Sequence, residues 1–233
     1  SSDVCSSDLL AVTTQNPSVL VVAGAGSGKT RTIVYRLAWL AEQGLNPQSM
    51  LLLTFTRKAA KEMLTRAHQL IGHELIGIHG GTFHSFAFHI LQIWHPGWLG
   101  ERAFTMMDQN DITDAIKSCK DKLGIGSKDR SFPKTQTLAA LFSKSRNKNI
   151  SLGKLIEQDA YQISHYSNEI QAIFDEYTDF RREKGLMDYD DLLFELEYLI
   201  RTNPKAAGYL HHTFKYILVD EYQDTNIVQA DII

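Results

Sequence analysis

The chain has 233 residues, 24 basic against 27 acidic side chains, a formal net charge of −3, and 43% hydrophobic residues. That apolar share excludes a disordered chain, no apolar run approaches the ~20 residues of a membrane-spanning helix, and the length suffices for one large domain or two modest ones. Cys5 and Cys119 stand far apart and match no zinc or redox spacing, so a disulfide scaffold is excluded, a reducing cytoplasmic compartment is expected, and the slight mean acidity by itself argues against a polyanionic partner.

Residues 1–9, SSDVCSSDL, lack periodicity and an apolar core, and read as a tail or junction. Val19 to Val22 is a short β-branched run closed by Gly24, the pattern of a strand buried on both faces. Thr30 to Gln43 has helical apolar spacing, with Gly44 and Pro47 as its stop. Met50 to Thr54 then reads as a strand, and Arg57 to Ile71 as a helix ending at Gly72. Strand, loop and helix repeated in this way predict an α/β fold with a parallel sheet.

The alternation stops between about Trp94 and Gly185. Helices are predicted there over Asp108 to Leu123, Thr135 to Ser145 and Ser164 to Lys184, with no buried strand, so this stretch reads as a mostly helical insertion. A helix capped by Asp188 follows over Tyr189 to Arg201. Lys215 to Val219 returns as an apolar strand that ends in Asp220 and Glu221 and rejoins the first sheet. Charge divides at the same place: Lys117 to Lys154 carries ten basic and two acidic residues, a balance of +8, which leaves −11 elsewhere.

Ala23, Gly24, Ala25, Gly26, Ser27, Gly28, Lys29 and Thr30 fit a phosphate-binding loop placed between a predicted strand and a predicted helix. Glycines let the backbone turn its amides toward phosphate oxygens, and the helix start adds positive potential. Lys29 supplies a cation for the β- and γ-phosphates, and the Thr30 hydroxyl is placed to ligate Mg²⁺. Asp220 and Glu221 end a predicted strand, where open α/β sheets carry their ligand chemistry. One carboxylate can hold Mg²⁺ while the other polarises the water that attacks the γ-phosphate. Six of the nine histidines fall between His68 and His95. Their gaps of five or six residues turn successive rings apart on a helix, which argues against a metal site.

The lettering then narrows the function. Besides the loop at 23–30, the chain shows Leu53-Thr-Phe-Thr-Arg-Lys-Ala-Ala-Lys-Glu-Met63, Gly81-Thr-Phe-His-Ser85, Asp188-Tyr-Asp-Asp-Leu-Leu193, and Val219-Asp-Glu-Tyr-Gln-Asp-Thr-Asn226 followed by Gln229. In this order the set resembles the UvrD/Rep/PcrA-type superfamily 1 DNA helicases. The resemblance implies a RecA-like P-loop NTPase lobe over 10–94 and 185–233, interrupted by a helical insertion over 95–184, with residues 1–9 outside the family pattern. It implies ATP and Mg²⁺ as cofactors, with Mg²⁺ on Thr30 and Asp220, and Glu221 and Lys29 in catalysis. Gln223 would help couple hydrolysis to strand movement. Single-stranded DNA and its junctions with duplex are the implied partners, contacted through Thr54, Phe55, Thr56, Thr82, Phe83 and His84. The helical insertion lies near DNA in the family, which suggests backbone contact by Lys144, Arg146 and Lys148.

Two departures are visible. Asp8 stands where the family's adenine-reading segment has glutamine, and Arg57 stands where relatives often have asparagine. The chain also ends at Ile233, ahead of the family's second motor lobe with its arginine fingers, so this portion alone is expected to hydrolyse ATP hardly at all. The implied activity of the whole protein is 3′ to 5′ DNA unwinding or translocation. A helicase fused to a recombination nuclease and a non-catalytic nucleotide- or DNA-binding module are the alternatives.

Overall fold

The computed structural model of the chain describes residues 6–24, 26–71, 77–126, 129–148 and 150–233. Ser1 to Cys5, Ala25, Gly72, His73 and Lys128, on which some of the readings above fall, lie outside the described residues. The chain divides into two units, Ser1–Ile90 with Leu196–Ile233, and Leu91–Glu195.

The first unit opens with helix α1, Ser6–Thr13, where a tail was expected. Its composition gives little intrinsic signal; Arg36 holds it from a distance. The guanidinium donates to the carbonyls of Ala11 (3.2 Å), Val12 (2.9 Å) and Thr14 (3.1 Å), the acceptors a helix end leaves unpaired. Val19 to Val22 is the larger correction. The expected strand is not formed, and the run is exposed, with Leu20 at 70% and Val22 at 87%. A short apolar run has the composition of a buried strand, but it becomes one only when a neighbour completes its ladder. Among the described residues no strand pairs with it.

Helix α2 spans Lys29–Glu42 and buries Val34, Leu37, Leu40 and Ala41. Strand β1, Met50–Thr54, is buried at all five positions. Helix α3, Arg57–Ile71, buries Ala60, Met63 and Ala67, close to the predicted spacing. Strand β2, His79–Thr82, runs directly into helix α4, Phe83–Ile93.

In the second unit, strand β3 (Thr105–Met106), helices α5 (Gln109–Leu123), α6 (Thr135–Lys148), α7 (Leu152–Asp159) and α8 (Ser167–Lys184), and strand β4 (Leu186–Met187) follow one another. The unit is mostly helical, as expected, with one two-residue parallel pairing of β3 with β4. Ile116, Leu138, Phe142, Leu155, Ile170 and Ile173 meet in its core. Helix α9, Asp191–Thr202, starts two residues after the expected position. Asp188 caps it by accepting from Asp191 N (2.9 Å) while Asp191 accepts from Asp188 N (2.7 Å), a reciprocal box. β4 pairs with β3, and the cap's carboxylates bond Arg146 and Arg181; the unit extends to Glu195, past the boundary at 184 read from the sequence.

Asp188 and Asp191 are also the acidic half of a buried network. Arg146 bonds Asp188 at 2.5 Å and also Asp191, and Arg181, 7% exposed, bonds both carboxylates. Burial pushes Asp188 up, but the two guanidinium groups overcome it and hold its carboxyl below the usual range, whereas burial keeps Asp191 raised. This corrects the reading of the basic stretch. Arg146 faces its own fold, and Lys144 and Lys148 both pair with Asp159, at 2.9 and 3.1 Å.

Helix α10, Pro204–Thr213, strand β5, Tyr216–Val219, and helix α11, Ile227–Ile232, complete the first unit. Its sheet is parallel with the order β2-β1-β5. Thr54 is opposite Thr82 and Leu53 opposite Val219, so the three strands end at one level. Helices α2 and α3 cover the sheet through Val34, Leu37, Met63 and Ala67, packed with Met50, Leu52 and Leu218; each such large side chain contributes roughly 1.5–3 kcal/mol of burial.

Removing one member of a buried ion network leaves its partner uncompensated. Asp188→Ala is therefore expected to lower unfolding stability by about 3–5 kcal/mol in urea denaturation, while Lys144→Ala, at an exposed pair, leaves the midpoint unchanged.

Candidate active site

The phosphate-loop residues form a turn whose conformation only glycine takes easily. Gly26 and Gly28 have φ of +76° and +93°, in the left-handed region that penalises a side chain. At Gly24 and Gly26 an added Cβ would meet nothing within 4 Å, so these backbones face open space that a bulky group can approach. Gly28 is the residue before the first turn of α2, and Lys29 and Thr30 open that helix, whose N-terminal amides carry positive potential. The Lys29 ammonium donates to the carbonyls of Ala23 (2.8 Å) and Gly24 (3.4 Å), folded over the turn it follows.

The opposite side of the site comes from β5. Asp220 N donates to Leu53 O at 3.0 Å, which continues the sheet ladder one residue past the strand and leaves Asp220 6% exposed. Burial pushes its carboxyl above the usual range, the neighbouring Glu221 charge adds to this, and the Lys29 charge works against it. Lys29 and Asp220, separated by 191 positions in the sequence, thus act on each other electrostatically. Glu221 is the one non-glycine residue with positive φ among the described residues, at 52°. Strain of this kind persists where the surroundings over-determine it, and it concentrates at functional positions. Gln223 donates a side-chain hydrogen bond to the Glu221 carboxylate, so those two candidates meet.

A hard divalent cation such as Mg²⁺ takes one or two oxygen donors from the protein and the rest from phosphates and water. Thr30 and Asp220 fit that need: a hydroxyl in the first turn after the glycine turn, and a carboxylate within electrostatic reach of Lys29. Among the described residues no cluster of three or more His, Cys, Asp or Glu side chains could hold a metal without such help.

The loops after β1 and β2 place the remaining candidates. The Thr54 hydroxyl is buried and donates to Thr56 O (2.8 Å), and Thr56 accepts from Ala59 N (3.1 Å) at the start of α3. Phe55 is 38% exposed, with its ring 6.0 Å from that of Phe83, which is 1% exposed. Of the two rings, then, Phe55 is the one with a face open to stacking. Thr82 and Ser85 cap α4 reciprocally: Thr82 N donates to Ser85 Oγ (2.9 Å) and Ser85 N to Thr82 Oγ1 (3.1 Å). His84, half-buried, follows Phe83 in the first turn of α4. Ser85 was not singled out from the sequence, although its position three residues after Thr82 is a capping signature.

A profile of the UvrD/REP helicase N-terminal domain matches residues 6–233. The chain belongs to the UvrD/REP helicase family. The ATP-dependent DNA helicase PcrA of Staphylococcus epidermidis (strain ATCC 35984) is 34% identical over 224 residues, and that of Staphylococcus aureus (strain Mu50) is 34% identical over 222; each comparison covers 95% of this chain. The chain spans 30% of the length of these curated relatives. The UvrD/REP match begins at residue 6, inside the stretch read as lying outside the family pattern, and runs through α1. The RecA-like reading of the α/β fold holds for this domain, whose parallel strands carry the expected motifs at their C-terminal ends.

The raised Asp220 carboxyl gives a signed expectation. A carboxyl whose folded pKa lies above its unfolded value loses folding stability as pH rises through that interval, so at neutral pH its charge costs stability. Asp220→Asn is expected to raise unfolding stability at pH 7 by about 0.5–2 kcal/mol, measured by thermal melting.

Proposed function

We propose that this chain is the N-terminal, nucleotide-binding portion of an ATP-dependent DNA helicase or translocase, which couples ATP hydrolysis to 3′ to 5′ movement along single-stranded DNA. The observation that carries the reading is the glycine turn, with Gly26 and Gly28 at positive φ, running into the first turn of α2 at Lys29 and Thr30, in a fold whose β5 leads into Asp220 and Glu221. The relatives' names, ATP-dependent DNA helicase PcrA, favour the same class. The fold would act in the cytoplasm on single strands and their junctions with duplex, together with a second motor lobe that supplies arginine fingers. Among the described residues no helix is long and apolar enough to cross a membrane.

In this mechanism the amides of the 23–28 turn and the start of α2 bind the ATP phosphates. Lys29 exchanges the carbonyls of Ala23 and Gly24 for β- and γ-phosphate oxygens, a stronger charge-assisted partner. Mg²⁺ held by Thr30 and Asp220 would supply charge neutralisation at those phosphates. Glu221 accepts the proton of the attacking water, and the Gln223 amide orients its carboxylate. Phe55 offers its exposed face to a base, and Thr56 and His84 line the path with polar groups for phosphates. Thr54, Thr82 and Phe83, all buried, support these loops from the core.

Binding of a fluorescent ATP analogue with Mg²⁺ tests the site in the chain as it stands. Lys29→Ala is expected to weaken binding about thirtyfold, the equivalent of ~2 kcal/mol, with an unchanged circular dichroism spectrum; equal affinity would overturn the assignment. In a polypeptide extended to the length of the relatives, Glu221→Gln should bind Mg-ATP normally and hydrolyse it about 10²–10⁴-fold more slowly.

A further inference from the structure

Helix α3 and strand β2 enclose a cleft of about 550 Å³ whose lining includes Arg57, Lys61, Thr65, His68, Gly81 and Ser85. It is not part of the nucleotide site. Arg57, Lys61, Thr65 and His68 recur at spacings of four, four and three residues, which sets them on one face of α3. At 1.5 Å per residue, Arg57 and Lys61 are about 6 Å apart along the axis, and the row to His68 is about 16 Å long. Leu64 sits among them and presses on β2: a Cβ added at Gly80 would come within 2.5 Å of Leu64 Cδ1. The glycine strand therefore lets the helix seat closely while its cationic residues remain exposed.

Among the described residues no acidic side chain lines this cleft. The one carboxylate on α3, Glu62, is paired with Arg66 at 2.5 Å, and Arg57, Lys61 and His68 have no acidic partner among the described residues. Two permanent cations and a histidine thus face open space without neutralisation, a field that raises the local concentration of anions. One end of the cleft connects to the loops discussed above: Arg57 follows Thr54, Phe55 and Thr56 directly, and Gly81 and Ser85 flank Thr82, Phe83 and His84. On the far side β2 has, among the described residues, β1 as its single ladder partner, so half of its main-chain groups point away from that pairing.

We infer that the cleft between α3 and β2 is a backbone track for the nucleic-acid strand, in which Arg57 and Lys61 each take one phosphate and His68 borders its far end. The inference rests on the proposed single-strand binding and extends it: the loops after β1 and β2 engage the bases, and α3 carries the phosphates that follow. It also gives a use to arginine at position 57, whose guanidinium reaches a phosphate bidentately.

Counterion release supplies the test. For a single strand the slope of log affinity against log salt is about −0.7 per phosphate neutralised. Fluorescence anisotropy of a labelled oligothymidylate across a salt series is expected to show the slope shallower by about 0.7 in Lys61→Gln and by about 1.4 in the double variant with Arg57→Gln. Lys61→Arg should restore it, and Lys205→Gln, on exposed α10, should leave it unchanged. Phe55→Ala is expected to weaken binding at every salt concentration with the slope preserved, because stacking releases no counterion. An unaltered slope in Lys61→Gln and in the double variant, with Phe55→Ala still weakened, overturns the track and leaves the single-strand reading standing. Failure of the unmodified chain to bind the strand overturns both.

Discussion

Strand β1 pays the largest desolvation requirement in the first unit. All five of its residues are buried, and its backbone groups are satisfied only because β2 and β5 pair along its two edges in parallel. That pairing has a chemical consequence. In a parallel sheet every strand ends at the same side, and the register sets Thr54 against Thr82 while Asp220 N continues the ladder to Leu53 O. The hydroxyl-rich loops and the acidic pair are therefore delivered to one edge by main-chain hydrogen bonds before any side chain contributes. Helix α2, packed over the sheet through Val34 and Leu37, then brings Lys29 close enough for its charge to bear on Asp220.

At that edge the fold accepts several local costs. Asp220 is a buried carboxylate beside a second acid, and Glu221 takes a backbone conformation unfavourable for a residue with a side chain. In the proposed function both costs have a physical counterpart. A carboxylate that is expensive to ionise in isolation binds a divalent cation with a larger gain, and a backbone turned at Glu221 aims successive side chains of the acidic motif in different directions. Gln223 then holds the Glu221 carboxylate. The second unit handles its buried charge differently. There Asp188 and Asp191 are met by Arg146 and Arg181, and the same network caps α9. The acidic motif at 188–193 is legible in the sequence as a cap; its arginine partners, from two different helices, are not.

How far the chain could be read in advance follows from which forces are local. The boundaries of β1 and α3 were accessible because apolar period, glycine stops and threonine caps act within a few residues. The motif residues of the proposed nucleotide site stand out in the sequence because their spacing is itself the chemistry. Helix α1 was not, since its carbonyls are capped by Arg36, more than twenty residues away. The run at Val19 to Val22 misled for the complementary reason: it has strand composition, yet strand formation is a property of pairs, and composition does not carry the neighbour. Phe55 and Phe83 have the same letter and each follows a threonine, and only the packing distinguishes an exposed ring from a buried one.

Charge shows the same limit. The excess of +8 between Lys117 and Lys154 suggested a surface for polyanions, but a window along the chain cannot count carboxylates that return to it in space. Asp159, Glu176, Asp188 and Asp191 all lie outside the window, and they take up Lys144, Lys148, Lys122 and Arg146. On α3 the single carboxylate, Glu62, turns to Arg66 and leaves Arg57 and Lys61 facing the cleft beside β2. What a polyanion meets is the charge that remains after such internal pairing, within about a Debye length of the surface. By that measure Lys122, Lys144, Arg146 and Lys148 drop out of the basic stretch, whereas Arg57 and Lys61, directly after Thr54, Phe55 and Thr56, keep their charge for a phosphate backbone.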